Sequence, residues 1–320
     1  MTGPAGHFAA TRRPSLAADS SAWAGRTEAW LERLVTSGEA AQAPISAALQ
    51  GIVAAWIVRE LLPDEAGEGA LAGWEAVLKD RLGEEDPQGA LLGCDAASVL
   101  LATRILRGRG VRTSSLEAFV AALAAALGDE AVTHQSAELF GTLTLLHELG
   151  LAEPPPTGHV PVPLLSPATN LFQADEATVA MIANHVAAST DFGRRPPSVD
   201  AAFFDSLVTA VPVWALDALR SYKFELGTTL LRTMVYLGLT DEPMLPMGLH
   251  LLVMQQRPEG AFAFLAQEAA SLARSKPAFM ATWDVDVPAT LACIWALAEG
   301  IVPGFRLFHD TAGDRAIAAR

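Results

Sequence analysis

Two carboxylates two residues apart, Asp284 and Asp286 in Trp283-Asp284-Val285-Asp286-Val287-Pro288, stand just ahead of a long apolar run that ends near Gly300. In a partly desolvated setting such a pair repels, so one member holds a proton near neutrality and acts as general acid while the other stays charged. With the opposite charge state the same pair deprotonates an amine or grips a cation. Helix capping explains one of the two, because an aspartate oxygen satisfies orphan N–H groups at a helix start for about 1 kcal/mol. Asp286 suits that role, with Pro288 in the first turn behind it, and Asp284 beside Trp283 is the surplus carboxylate. Asp284 and Asp286 are therefore the expected acid/base pair, with Trp283 lining their pocket.

The elements that must position them read as helices. Alanine, leucine and glutamate dominate, β-branched runs are missing, and apolar residues recur at three- and four-residue spacing, as in Ile52, Val53, Trp56, Ile57 and Leu61. The expected class is all-α. Self-similarity sharpens this: ELFGTLTLLHELGLAEP from Glu138 and ELGTTLLRTMVYLGLTDEP from Glu225 end alike, with Leu-Gly-Leu as a left-handed glycine cap and an acidic-proline pair beyond it. Comparable stops at 62, 108, 150, 193, 238 and 300 lie roughly 40 to 60 residues apart, the period of helix-pair repeats. Six pairs stack as an open solenoid or close into an (α/α)6 toroid-like barrel. Closure is expected, because the stretches ahead of the stops, such as Ser98 to Leu106, are apolar nearly all round and need neighbours on every side. Residues 1–20 read as a flexible terminus and 21–320 as a single domain with a proline-rich connection at 153–167.

Counting back about fourteen residues from each stop, an ordinary helix length, lands on polar residues: Ser46, Asp95, His134-Gln135, Asp175-Glu176, Lys223 to Glu225, and Asp284 to Asp286. In a closed toroid these starts share one end, where positive helix termini favour anions. Asp95, His134, Gln135, Lys223 and Glu225 are accordingly expected to bind substrate. His185, in mid-helix, is either a hydrogen-bonded core histidine or a proton shuttle, and it joins the catalytic set on the second reading.

Composition removes several classes of partner and chemistry. With 36 acidic against 22 basic residues and a net charge of −14, the chain has no cationic footprint for nucleic acid or anionic lipid. No apolar run reaches the roughly 18 uninterrupted residues of a membrane span, and Arg12-Arg13 is followed by no secretory core, so a cytoplasmic location is expected. Cys94 and Cys293, both beside small apolar residues, read as reduced thiols. HExxH, DDxxD, phosphate-loop and Gly-x-Ser-x-Gly patterns are missing, so neither a metal nor a cofactor is expected.

Gln256-Arg257-Pro258-Glu259-Gly260-Ala261-Phe262 resembles the Gln-x-x-Asp/Glu-Gly-x-aromatic turn of squalene-hopene cyclases and protein prenyltransferases, which are α/α toroids. The resemblance implies pocket roles for Glu259 and Phe262; read from the residues alone, Glu259 caps a helix starting at Ala261. Asp284-Val285-Asp286-Val287 resembles the Asp-x-Asp-Asp element of the protonating cyclases and puts their acid on Asp286, although Val287 replaces the last aspartate. His185, Thr190-Asp191-Phe192-Gly193, LGLTDEP, QRPEGAF and LACIWALAEG together are similar to a poorly characterised all-α family from actinobacterial secondary-metabolite clusters. That likeness implies a biosynthetic role.

The expected function is a cofactor-independent biosynthetic enzyme acting on a small-molecule intermediate, by ring closure or elimination with carboxylate acid/base catalysis. Intramolecular displacement of a sulfate- or phosphate-type group by an amine, as in aziridine formation, fits those parts. The alternatives are a non-catalytic helical-repeat binding or carrier protein and, third, a proton-initiated terpene-type cyclase. Self-association into a homodimer is left open.

Overall fold

The computed structural model describes residues 20–62, 67–83, 86–130, 137–154, 170–197, 199–262, 282–302 and 304–308. Most of the expected N-terminal arm and of the proline-rich connection lies outside these residues. Among them every regular element is helical, which makes the chain all-α as the periodicity requires. The α-helices are α1 (Ser20–Thr36), α2 (Ile45–Leu61), α3 (Glu68–Arg81), α4 (Pro87–Leu92), α5 (Ala96–Gly108), α6 (Ser114–Glu130), α7 (Ala137–Glu148), α8 (Glu176–Ser189), α9 (Ala201–Arg220), α10 (Phe224–Tyr236), α11 (Met244–Met254) and α12 (Val287–Ile301).

The stretches ahead of the predicted stops become six central helices, α2, α5, α7, α8, α10 and α12. Their neighbours run in chain order: α2 packs on α5, α5 on α7, α7 on α8, α8 on α10 and α10 on α12, while α12 also packs on α2. The remaining helices back them, with α1 and α3 on α2, α6 on α5, α9 on α10, and α11 on α9, α10 and α12. Apolarity all round follows from this placement, since α2 is buried almost continuously from Ile45 to Val58. α9 is long and apolar enough, by length and composition, to cross a membrane, and its buried Phe203, Leu207, Val211 and Ala218 go with α10 as its principal neighbour.

The C-terminal halves of the central helices meet around the segment Phe305–Phe308. Arg104 of α5 donates to Glu148 of α7 at 2.7 Å and to the carbonyls of Leu307 and Phe308. Trp56 of α2 packs on Phe305, Phe192 beyond α8 stacks on Phe308 at 4.0 Å, and Tyr236 of α10 bonds Glu299 of α12. These helices therefore run in the same direction.

Helix starts and stops follow local chemistry closely. Asp95 and Asp175 cap α5 and α8 by accepting from Ser98 N and Thr178 N, each at 2.8 Å. Gly150 and Gly238 close α7 and α10 with φ near +70°, so the repeated Leu-Gly-Leu is a left-handed glycine cap. Expectations at Gly300 and Asp286 need correction. Gly300 lies within α12, where an added Cβ would come within 2.7 Å of Leu249; its role is close approach to α11 rather than a stop. Asp286 makes no side-chain cap bond, because the chain is already helical at 282–286, in a π-turn that continues into α12 and leaves no orphan donors there to cap.

The Gln256–Phe262 turn is a clamp. The Gln256 amide donates to Trp23 O and Thr27 Oγ1, both at 2.9 Å, and accepts from Arg26 Nε, while Phe262 N donates to Thr290 Oγ1 at 3.0 Å. It fastens the end of α11 to α1 and α12. Ala261 and Phe262 do not begin a helix, since Phe262 forms an isolated antiparallel bridge with Gln256. Gly260 has φ +108°, and a Cβ on it would lie 1.9 Å from the carbonyl oxygen of Arg26. Gly260→Ala is therefore expected to lower stability by at least about 2 kcal/mol in urea unfolding. Gly238→Ala, where nothing lies within 4 Å, costs only its left-handed backbone, about 1 kcal/mol.

Candidate functional site

A cavity of about 250 Å³ lies among five of the six central helices, lined by the start of α5 and by parts of α7, α8, α10 and α12. Exposed Asp95 and Asn184 stand at its mouth; Phe192, Tyr236 and Phe308, all buried, close its inner end. Thr142, Thr229 and Thr233 supply hydroxyls along the wall.

The cation in this wall is Arg232, midway along α10. Its guanidinium lies 3.7 Å from the ring centroid of Trp295 on α12, and Nη2 donates to Thr229 Oγ1 at 3.1 Å. Nε is buried with no hydrogen-bond partner, and among the described residues no carboxylate pairs with Arg232. Stacking on an indole face offsets part of the desolvation of the charge but leaves in-plane donors unmet.

Below it, Tyr236 OH donates to Glu299 Oε2 at 2.7 Å, and Leu307 N donates to Glu299 Oε1 at 3.1 Å. Glu299 is 3% exposed. Burial, reinforced by the Glu299 charge, pushes the Tyr236 phenol well above its ordinary range, against the opposing pull of Arg232 and Arg306. Tyr236 is thus a fixed donor that holds the inner end of the cavity together.

Of the candidate site residues that lie among the described ones, Asp95 alone lines this cavity. Asp284 is exposed, and Asp286, whose side chain is 16% exposed, pairs with Arg257 at 3.3 Å. Burial raises the Asp286 carboxyl above its usual range, with Arg257 opposing. Trp283 is buried edge-to-face against Trp74. His185 donates through Nδ1 to Met181 O at 2.7 Å, one turn back in its own helix, and does not line this cavity. Lys223 pairs with Glu176 at the exposed starts of α10 and α8, and Glu225 is exposed. Glu259 is exposed beside Arg257, whereas Phe262 packs on Trp23 in the core. His134 and Gln135 lie outside the described residues. No group of three or more His, Cys, Asp or Glu among the described residues is placed to hold a metal ion.

The residues that sequence reasoning passed over are Arg232, Tyr236, Trp295 and Glu299. A signal was present for two of them: Glu299 is the single charged residue of α12, and Arg232 is the one charge of α10 beyond its first turn. A charge inside an otherwise apolar buried helix needs a partner or a ligand.

A family model described as a domain of unknown function (DUF6895) matches residues 17–282. No curated protein and no solved structure matches the chain.

Because the folded Tyr236 pKa lies above its unfolded value near 10, its contribution to stability is complete below that pH and is lost as pH rises through the folded value. With two tyrosines in the chain, alkaline absorbance titration is expected to show Tyr236 ionising only as the protein unfolds. Tyr236→Phe removes that step and leaves Glu299 short of a donor, costing about 1–3 kcal/mol at neutral pH.

Proposed function

This chain belongs to the DUF6895 family, and we propose that it is a cofactor-independent biosynthetic enzyme working on a small molecule inside a closed α/α toroid. Closure is supported by α12 packing on both α10 and α2, which returns the order of neighbours to its start. The secondary-metabolite setting rests on the resemblance of the second half of the chain described above.

The observation that carries the reading is one cavity lined by both a carboxylate, Asp95, and a cation without a carboxylate partner among the described residues, Arg232. The base role falls to Asp95 and not to Asp284 or Asp286, which do not line the cavity. Both its bonds to Ser98 use Oδ2, so its orientation is fixed while Oδ1 is not committed to the cap. In a ring closure, an amine nitrogen of the substrate attacks a carbon bearing a sulfate or phosphate ester. The C–O bond breaks, its electron pair leaves with the oxyanion towards Arg232, and the amine proton passes to Asp95. A proton-initiated terpene cyclisation finds less support, because its acid would be Asp286, which is paired with Arg257 away from the cavity.

The test is sulfate release from a panel of small 2-aminoalkyl sulfate esters, followed by ion chromatography. Wild type is expected to release sulfate, Asp95→Asn to be slower by about 100- to 10,000-fold, and Asp284→Asn to match wild type. Wild type that binds these esters without turning any of them over would make the protein a carrier. Undiminished turnover by Asp95→Asn would remove the base assignment.

A further inference from the structure

We propose that Arg232 anchors one oxyanion, a carboxylate or a sulfate-type group, borne by a compact molecule whose apolar part lies among Phe192, Trp295 and Phe308. The proposal rests on the cavity being the ligand site but not on the reaction. Arg232 sits between buried Leu230, Leu231 and Met234, where a guanidinium is ordinarily matched by a carboxylate. Among the described residues no such match is present. Trp295 holds one face of the guanidinium at 3.7 Å and Thr229 takes Nη2, so the group cannot swing freely in search of a partner. What is left is in-plane donor capacity: the buried Nε has no acceptor among the described residues. A planar fork of N–H donors matches the paired oxygens of an oxyanion.

Charge and size narrow the class. Among the described residues the wall carries one cation, Arg232, and one carboxylate, Asp95, so it suits a single negative charge better than a phosphate dianion. An amine on the same molecule has Asp95 at the mouth to face. The volume of about 250 Å³ falls below the roughly 300–1,000 Å³ of sites for drug-sized ligands, so the molecule is smaller than those. Phe192, Trp295 and Phe308 supply apolar surface, and Thr142, Thr229 and Thr233 supply hydroxyls.

Calorimetric titration of the full chain at low salt with benzoate, its neutral isostere benzamide, and sulfate reads this directly and needs no turnover, so failure of the reaction and failure of the anion site are separable. Benzoate is expected to bind at least about tenfold more tightly than benzamide, and Arg232→Gln to lose about ten- to a hundredfold in benzoate affinity. Arg220→Gln, on the exposed end of α9, keeps wild-type affinity. Benzoate binding more tightly than sulfate supports a carboxylate on an apolar body, whereas sulfate binding more tightly overturns the apolar part. Equal binding of benzamide and benzoate, undiminished binding by folded Arg232→Gln, or no binding of either anion overturns the proposal. If Arg232→Gln does not fold, the benzoate–benzamide comparison on wild type decides.

Discussion

The bond network of Glu299 is the constraint on which the centre of the molecule depends. A carboxylate taken out of water costs several kcal/mol unless its oxygens are met by good donors. Here each oxygen has one, Tyr236 OH on one side and Leu307 N–H on the other. Because those donors belong to α10 and to the segment after α12, satisfying one carboxylate fixes three pieces of chain at once. Arg104 completes the arrangement by binding the Leu307 and Phe308 carbonyls together with Glu148. Phe308 is then held against Phe192 and Trp295, and the inner end of the cavity is set.

The same economy of polar groups separates the two acidic stretches that sequence patterns favour. Asp95 is both a cap and a cavity residue because α5 begins at the mouth. Asp286 is neither, since the π-turn at 282–286 supplies the helix start and Arg257 claims the carboxylate. Arg257 is itself positioned by the Gln256–Phe262 turn, whose glutamine and glycine are spent on α1. The cyclase-like motif and the Asp-x-Asp pair thus belong to one structural joint between α11, α1 and α12, set apart from the cavity.

Helix identity, repeat period and most stops were legible because they are local. An aspartate before an apolar run and a glycine after it act on backbone groups within four residues, and 3.6-residue periodicity declares which stretches need burial on all sides. The sequence by itself therefore determined the all-α class, the six central helices and their caps at Asp95, Asp175, Gly150 and Gly238. Tertiary structure decided which polar groups share a cavity. That depends on the rotation of each helix about its own axis and on partners far along the chain, 63 residues apart in the case of Tyr236 and Glu299. A lone arginine or glutamate in an apolar helix announces that a partner is needed; only the packed neighbours show that Glu299 has found two donors while Arg232 still presents an unmet one.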